Sequence, residues 1–185
     1  MPGPEASGFD GSGFRFDYPE IAPERATEPM RPLTDSEATY VAQVLGGVVP
    51  QTFLFEGEES PITFVETQAV KDGVTCDVYT FEGDTTKDLG IIRVSPGQRT
   101  PLQRVLQGVR TVEGFITGSA TLVVTEAGGQ VTEHHYDQTS EPGAEVDVAV
   151  GQLMQWVNEG DSDLFFYEVC MPPYATGRYE DLADL

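Results

Sequence analysis

Two neighbouring histidines are the residues of this sequence best suited to proton transfer near neutral pH. His134 and His135 stand in the segment VTEHHYDQ, with Glu133 and Asp137 close by. Adjacent side chains on a strand point to opposite faces, so one imidazole at most can enter a given pocket. One interpretation places that imidazole in a pocket as an acid or base. The other, which we favour, is a surface pair at the end of a strand.

Three arginines form a candidate anion-binding group. Arg99, Arg104 and Arg110 fall within twelve positions of a chain that has few basic residues. Guanidinium groups bind phosphate and carboxylate through paired hydrogen bonds, so the cluster would suit an anionic substrate. The same arginines would equally serve to pair with neighbouring acids, within a loop or across a dimer. Both interpretations stay open.

The overall charge limits the classes of partner. The chain contains 31 Asp and Glu against 10 Lys and Arg, which gives a formal net charge of −21. This charge disfavours nucleic acids and anionic membrane surfaces, because both would repel the chain. Scattered acids with scarce lysine suit a protein that works in concentrated salt, where screening relieves self-repulsion. An ordinary acidic protein is the alternative.

The cysteines and the N-terminus indicate the compartment. Cys76 and Cys170 lie in the strand-like segments VTCDVYTF and FFYEVCM and match no metal-binding spacing, so we interpret them as small buried hydrophobic residues. The first residues, MPGPEASGFDGSG, lack the basic start and apolar stretch of a secretory signal. No apolar run is long enough to cross a bilayer. We therefore expect a cytoplasmic protein.

The elements that must position these residues form one domain with an N-terminal extension. Residues 1–33 hold six of the thirteen prolines and no periodic pattern, which predicts an extended arm. The segment TDSEATYVAQVLGG has a cap at Thr34 or Asp35 and an apolar stripe, which predict one short helix. A domain of residues 34–185 is long enough to build its own hydrophobic core.

Beyond Val48 the pattern becomes that of short β-strands. PITFVETQAV and VTCDVYTFEG flank Lys71, Asp72 and Gly73, and an Asp-Gly pair supplies the positive φ angles of a tight hairpin. Strand-like, turn-bounded segments continue to the end of the chain. Seven or more such strands predict an all-β protein, most plausibly a jelly roll.

Residues 89–182 resemble a single-domain cupin. VSPGQRTPL and TVEGFITGSATL are similar to the two halves of the first cupin motif, with Gly118 as its closing glycine. VGQLMQWVNEGDSDLFFYEV is similar to the second motif, whose spacing is held here by Gly151, Met154 and Asn158. CMPPYATGRYEDL resembles the cupin tail that leaves the last strand. The resemblance implies a cupin-type jelly-roll β-barrel, preceded by the arm and the short helix.

The resemblance also locates the usual metal ligands, and this sequence replaces them. Metal-dependent cupins use two histidines and a glutamate from the first motif, where Gln103, Val105 and Thr111 fall here, with Glu113 two residues further on the same face. The third histidine, from the second motif, is replaced by Met154. Valine cannot bind a metal, and a thioether suits copper(I) better than iron, manganese or zinc. We therefore predict no metal ion and no other cofactor.

Two functions are open for such a barrel. The first is a non-catalytic or accessory protein that binds a small polar or anionic molecule by hydrogen bonding and stacking. The residues predicted to bind this ligand are Gln103, Arg104, Thr111, Phe115, Met154 and Trp156. The second is a metal-independent isomerase or epimerase of a sugar or sugar nucleotide, for which the resemblance implies a Glu or His base and a Tyr acid. Its candidate catalytic residues are Glu113, His134 and Tyr167.

Two further expectations concern packing and assembly. Met154 and Trp156 would also suit a barrel whose interior is simply filled by side chains, which is the structural alternative to a ligand pocket. Cupins commonly pair through edge strands and exchanged N-terminal segments, so the resemblance predicts a homodimer in which the arm takes part.

Overall fold

The structure is a computed structural model, and it describes residue Gly46 and residues 49–182. The predicted arm at residues 1–33 and, apart from Gly46, the predicted helix lie outside these residues. Within the described residues every regular element is a strand. These residues therefore include no apolar helix of the length that a membrane span needs. The strands are β1 (Thr52–Phe55), β2 (Glu58–Lys71), β3 (Val74–Phe81), β4 (Asp84–Val94), β5 (Gln103–Val105), β6 (Arg110–Thr117), β7 (Ala120–Thr125), β8 (Val131–Tyr136), β9 (Glu145–Val148), β10 (Leu153–Asn158), β11 (Leu164–Met171) and β12 (Tyr179–Asp181).

The strands form two antiparallel sheets. The larger sheet has the order β1-β2-β3-β4-β11-β6-β9, and the smaller has the order β12-β5-β10-β7-β8. The chain passes repeatedly from one sheet to the other, so β11 lies between β4 and β6 although more than 45 residues separate it from either. This arrangement is the jelly roll that the sequence predicted.

The hairpin between β2 and β3 is also as predicted. Lys71 pairs with Val74, and the turn consists of Asp72 and Gly73. Gly73 has a φ of +75°, a conformation that side chains other than glycine adopt at a cost.

Alternate residues of the larger sheet belong to two separate hydrophobic cores. One core lies between the sheets and includes Ile92, Phe115, Met154, Trp156 and Phe166. The other lies on the opposite face of the larger sheet and is formed by Phe53, Phe55, Ile62, Tyr79, Phe81, Leu89, Ile91, Val112, Ile116, Tyr167 and Val169. Both faces of the central strands are therefore buried. Successive residues of β4, β6 and β11 point alternately into the barrel and towards the outer core.

Candidate functional site

A cavity of about 540 Å³ opens between the inner face of the larger sheet and strands β5, β10 and β12. Five carboxylates line it, while no Lys, Arg or His of the described chain does. The polar lining consists of Glu66, Gln68, Cys76, Asp88, Thr100, Gln103, Glu113, Glu168, Tyr174, Tyr179 and Asp181. The apolar lining includes Val74, Val78, Gly90, Ile92, Pro101, Met154, Trp156 and Phe166. The cavity is therefore strongly negative in character.

Glu113 is the most deeply buried acid of this cavity. Only 1% of its surface is exposed, because β6 lies between β11 and β9 in the larger sheet. Trp156 Nε1 donates a hydrogen bond of 2.7 Å to Glu113 Oε2. The other oxygen, Oε1, is buried and accepts no hydrogen bond within the described structure. A buried oxygen without a donor is costly for the ionised carboxylate, which favours the protonated form of this side chain.

The indole that holds Glu113 is itself fixed on several sides. The Trp156 ring stacks on Phe166 with centroids 4.5 Å apart, and Tyr136 lies 5.3 Å away on a tilted plane. The backbone nitrogen of Trp156 donates to Thr100 Oγ1 at 3.0 Å. Since the ring cannot turn without breaking these contacts, the direction of its N–H towards Glu113 is set before any ligand arrives.

A row of in-register residues crosses the cavity floor on five neighbouring strands. Glu113 pairs with Glu168, which pairs on its other side with Gly90. Gly90 pairs with Val78, and Val78 pairs with Glu66. Residues directly opposite in an antiparallel pair point to the same face, with Cβ atoms about 4.5–5.5 Å apart. The carboxylates of Glu113 and Glu168 are therefore neighbours. Gly90 has no side chain, and a Cβ atom there would stand 3.0 Å from Cys76 Sγ, so the thiol lies over this position.

Burial and repulsion change the acidity of this carboxylate pair. Removal from water raises the pKa of Glu113 well above its ordinary value of 4.5, and the negative charge of Glu168 raises it further. The hydrogen bond from Trp156 opposes these effects but is weaker than either, and a hydrogen bond between the Glu113 and Glu168 carboxyl groups raises the pKa of Glu113 as well. Burial likewise raises the pKa of Asp88, whose Oδ2 accepts a hydrogen bond of 2.8 Å from the backbone of Tyr174. Glu113 thus keeps its proton at pH values where an exposed glutamate is ionised.

Glu168 is positioned by groups near the C-terminal end of β11 and on β12. Cys170 Sγ donates to Glu168 Oε1 at 3.3 Å and lies 3.2 Å from the hydroxyl of Tyr179. Arg178 Nε donates to that hydroxyl at 3.3 Å. Burial raises the pKa of both the Cys170 thiol and the Tyr179 phenol, so both remain protonated and available as donors.

Four residues predicted to form a site lie together in the cavity. Gln103, Glu113, Met154 and Trp156 all line it, although they come from three strands of two sheets. The Gln103 amide donates to Asp181 Oδ1 at 2.8 Å, which ties β5 to β12 at the rim. Met154 and Trp156 also belong to the inner core, so they contribute to packing as well as to the cavity wall.

Tyr167, the predicted acid, does not share this cavity. It follows Phe166 and precedes Glu168 on β11, so its side chain lies on the outer face of the larger sheet. Its hydroxyl donates to Glu145 Oε1 at 2.7 Å beside a separate pocket of about 330 Å³. Glu113 and Tyr167 therefore do not face one pocket as the epimerase hypothesis requires. Tyr167 alternates with Phe166 and Glu168 along β11 and points away from the barrel.

His134, the predicted alternative base, is likewise not among the cavity-lining residues. His134 lies on β8 and pairs in register with Leu122 of β7. In the smaller sheet, β10 and β7 separate β8 from β5. The neighbouring His135 Nδ1 lies 2.9 Å from Thr121 Oγ1, and its Nε2 lies 3.5 Å from Glu133. The cavity thus contains no imidazole from the described part of the chain.

The remaining predicted ligand-binding residues have structural contacts instead. Arg104 forms an ion pair of 2.9 Å with Glu180 and is not part of the lining. Thr111 Oγ1 accepts a hydrogen bond of 2.9 Å from Arg178 Nη2. Phe115 is packed inside the core, stacked on Tyr136 at 4.8 Å. None of the three is among the cavity-lining residues.

The residues at the usual cupin metal positions do not fit a metal ion. Val105 is buried in the core, and Met154 packs beside it. The Thr111 hydroxyl accepts a hydrogen bond from Arg178, and the Gln103 amide donates one to Asp181. Within residues 49–182, no group of three His, Cys, Asp or Glu side chains is arranged to hold a metal. The donor set therefore supports no mechanism that passes through a metal.

Sequence reasoning missed the second half of the carboxylate pair. Glu168 stands in the apolar run LFFYEVCM, and a lone acid among buried residues is the signal that could have found it. Asp88, Tyr174 and Tyr179 were missed as well, because nothing local in the sequence shows that β12 folds back over the cavity.

No family model and no curated protein matches this sequence. Solved structures do match. The capsular polysaccharide assembling protein CapF from Staphylococcus aureus is similar over 69% of this chain and 34% of its own, with 12% identity and a TM-score of 0.53. Oxalate decarboxylase from Bacillus subtilis is similar over 62% of this chain and 29% of its own, with 19% identity and a TM-score of 0.51.

A third similar structure is the 7S globulin of Momordica charantia. The match covers 66% of this chain and 36% of the globulin chain, with 14% identity and a TM-score of 0.51. The chain thus spans about a third of the length of these neighbours. CapF and oxalate decarboxylase are cupin-fold proteins, so the chain has the cupin fold that its sequence predicted. At these identities the likeness establishes the fold alone.

Proposed function

We propose that this chain binds a small organic molecule in the barrel cavity and does so without the metal of metal-dependent cupins. The observation that carries the proposal is Glu113, which lines a cavity of about 540 Å³ and has a buried oxygen, Oε1, without a donor. Ligand pockets in proteins typically measure about 300–1,000 Å³ and combine apolar walls with a few fixed polar groups. Trp156 and Glu113 supply such a fixed polar end.

The lining favours a ligand that carries hydrogen-bond donors over an anion. Five carboxyl groups line the cavity, and two of the three arginines considered for an anionic ligand pair with acids outside it. Arg104 pairs with Glu180, while Arg110 pairs with Asp147 and Glu56. A phosphate or carboxylate would meet repulsion in such a cavity, whereas hydroxyl, amide or amine groups would find acceptors. Of the small polar or anionic ligands predicted from the sequence, we therefore propose a polar one that carries hydrogen-bond donors.

Catalysis of proton transfer, as in a metal-independent sugar isomerase or epimerase, is the second candidate function. One observation favours it: Glu113 and Glu168 face each other in register at the cavity floor. Two such carboxyl groups can share one proton, so one of them is an acid while the other is a base. The pair would then replace the Tyr acid that Tyr167 cannot supply from the outer face.

Fluorescence of Trp156 tests the binding proposal directly. Trp156 is the one tryptophan of the chain, and its ring lines the cavity. Addition of sugars, polyols, amides and amines to the full-length protein should therefore reveal at least one class that changes its emission in a saturable manner. If no class does so, the proposal is wrong.

Two phenylalanine variants show whether a bound compound occupies this cavity. Val78→Phe places a larger side chain at a position of β3 that lines the cavity and should abolish binding. Val131→Phe makes the same exchange at an exposed position of β8 outside the lining and should leave binding unchanged. Equal binding by the two variants would contradict the proposed location.

Solvent exchange separates binding from catalysis. An isomerase or epimerase that removes a carbon-bound proton incorporates deuterium from heavy water into its sugar substrate, and a binding protein does not. Incorporation into a bound sugar, lost in Glu113→Gln, would support the enzyme, whereas saturable binding without incorporation would support the binding protein.

A further inference from the structure

We propose that the cavity selects a small organic cation, an amine in its ammonium form, which binds between Glu113 and Glu168 and displaces the proton that the two carboxyl groups hold. This inference rests on the proposed function, because it assigns the ligand class of the same cavity. It goes beyond it by fixing the charge of the ligand and the change in protonation that accompanies binding.

The charges around the cavity supply the first reason. Glu66, Asp88, Glu113, Glu168 and Asp181 all line it, and no basic side chain of the described chain is among the lining residues. The guanidinium of Arg178 donates hydrogen bonds to Tyr179, Thr111 and two backbone carbonyls, and its charge acts on Asp88 and Glu168 from outside the lining. One guanidinium does not balance five carboxyl groups, so the cavity attracts a cation more than an anion.

The geometry of the floor supplies the second reason. Glu113 lines the cavity, and its Oε1 is buried and accepts no hydrogen bond from the residues described. Glu168 lies opposite Glu113 in register, and both residues line the cavity. An ammonium group carries three N–H donors, so it can satisfy Glu113 Oε1 and reach Glu168 at the same time.

The size and composition of the cavity indicate an organic cation instead of a metal ion. A volume of about 540 Å³ is far larger than an ion needs, and residues 49–182 contain no cluster of three side chains arranged for a metal. The apolar wall of Val74, Val78 and Ile92 faces the same space and would contact a hydrocarbon body. An amine with a compact apolar body of about six carbons matches both parts.

The proton balance of the binding step is simple. In the free protein one proton is held by the pair, mainly on Glu113, because burial and the charge of Glu168 disfavour its ionised form. The ligand arrives as R–NH₃⁺ and keeps its own three N–H bonds. The proton on the pair passes to the solvent, and the ammonium group takes its place between two carboxylates. No bond to carbon is made or broken.

Other titratable groups face the pair from the surrounding strands. Burial raises the pKa of the Cys76 thiol on β3 and of the Tyr179 phenol on β12, so both stay neutral well above pH 7. Asp88 on β4 also has a raised pKa and adds to the same response. The remaining charged neighbours in the cavity are Glu66 on β2, Glu168 on β11 and Asp181 on β12, while β5 and β10 contribute the non-titrating Gln103 and Trp156.

Three probes with one body and different head groups test the inference. Cyclohexylammonium, cyclohexanol and cyclohexanecarboxylate are titrated into the full-length protein while Trp156 fluorescence is recorded. The titrations are made in 0.5 M NaCl, so that the net charge of −21 does not attract every cation equally. Cyclohexylammonium should bind at least about tenfold more tightly than cyclohexanol, and cyclohexanecarboxylate should bind most weakly.

The pH dependence distinguishes proton displacement from simple attraction. Affinity for cyclohexylammonium should rise by up to about tenfold per pH unit where the pair still holds its proton, and level off above that range. Calorimetry in two buffers of different ionisation enthalpy should show release of about one proton. Cyclohexanol binding should change little with pH. An affinity for cyclohexylammonium that does not change with pH overturns the inference.

Two variants connect the effect to the pair. Glu113→Gln keeps the acceptor for Trp156 but cannot ionise, so it should lose the preference for cyclohexylammonium over cyclohexanol and the proton release. Glu58→Gln, at an exposed position outside the cavity, should behave as the unmodified protein. Binding of cyclohexanol without preference for the cation would refute this inference and leave the binding cavity standing, whereas the absence of binding by all three probes would refute both.

Discussion

At the scale of single residues, Glu113 links the stability of this protein to pH. Its ordinary pKa of 4.5 applies in the unfolded chain, and burial raises the value in the folded chain. Between these two values the folded protein holds a proton that the unfolded chain has released. The free energy of unfolding therefore falls as the pH rises through this window, and the loss is absent below about pH 4.5, where both states are protonated.

Replacement of Glu113 by glutamine should remove this dependence. Glu113→Gln can still accept the hydrogen bond from Trp156 Nε1 and has no proton to lose. We expect the variant to be more stable than the unmodified protein at pH 7 by about 1–3 kcal/mol, the usual cost of one unsatisfied buried polar group. The gain should shrink towards zero as the pH approaches 4.5, as measured by chemical denaturation across this range.

An exposed glutamate provides the control for this measurement. Glu58→Gln removes one negative charge near the start of β2 without altering a buried site, so its effect should stay within about 0.5 kcal/mol at every pH. If Glu113→Gln is less stable than the unmodified protein at neutral pH, the carboxyl group is better satisfied in the folded state than its surroundings indicate.

At the scale of elements, the contact between β6 and β11 on the outer face depends on one glycine. Gly114 pairs with Tyr167, and the phenol ring lies directly over it. A Cβ atom at position 114 would stand 2.0 Å from Tyr167 Cζ. The ring also meets Phe53 edge-to-face at 4.8 Å and donates to Glu145, so it holds β1 and the start of β9 against the sheet.

A methyl group at this position should therefore displace the ring. Gly114→Ala is expected to lower the free energy of unfolding by about 3 kcal/mol, the upper end for overpacked sites. Gly128→Ala is the matched control, because a Cβ atom there has no neighbour within 4 Å. Thermal unfolding of the two variants checks the prediction, and equal melting temperatures would show that Tyr167 can leave Gly114 at little cost.

Local patterns predicted the elements better than the site. The hairpin at Asp72 and Gly73 and the strand around Trp156 follow from turn chemistry and alternation, which are encoded within a few residues. The pairing of Glu113 with Glu168 depends on β11 entering between β4 and β6, a contact between segments 55 residues apart. No local signal fixes that register, and a shift of one residue would have brought Tyr167 inside instead.

The cavity was predicted in part for the same reason. Gln103, Met154 and Trp156 lie at positions that the cupin motifs fix on inward faces, and the structure places all three in the lining. Arg104 and His134 lie on strands β5 and β8, but their neighbours come from other parts of the chain. Their contacts are a property of the assembled sheets and were not visible in the segments that contain them.

At the scale of the whole molecule, β2 offers an edge for the homodimer that the sequence predicted. On its outer side β1 pairs only with residues 58–61 of β2. Beyond Ile62 no other described strand covers that side, and Phe64, Val65 and Val70 are exposed there. An open edge with apolar side chains favours pairing with a second strand. We expect the same segment of a second copy, related by a two-fold axis, to occupy it.

Light scattering in high salt measures this assembly. The unmodified protein should have twice the chain mass of 20.1 kDa. Val65→Lys should shift it to the monomer, whereas Val109→Lys, at an exposed loop position, should not. A monomer for the unmodified protein would contradict the predicted dimer, and a dimer that survives Val65→Lys would place the interface elsewhere, including on residues 1–45.

The net charge of −21 should make stability increase with ionic strength. Four of the basic residues already pair with acids in the described structure: Lys87 with Asp84, Arg93 with Asp163, Arg104 with Glu180, and Arg110 with Glu56 and Asp147. The acidic residues exceed the basic residues by 21, so ion pairs can offset only part of the repulsion between carboxylates. Dissolved salt must screen the rest. The screening length falls from about 30 Å at 0.01 M salt to about 10 Å at 0.1 M, so the largest gain is expected at low concentrations.

Two salts with opposite effects on protein hydration isolate this electrostatic contribution. Sodium chloride and guanidinium chloride screen charges equally below about 0.2 M, whereas guanidinium also weakens hydrophobic burial. If repulsion between carboxylates limits stability, both salts should raise the melting temperature in this range, and guanidinium should lower it only at higher concentrations. A melting temperature that falls from the first addition of guanidinium would mean that the acids are too far apart, or too well hydrated, for their repulsion to matter.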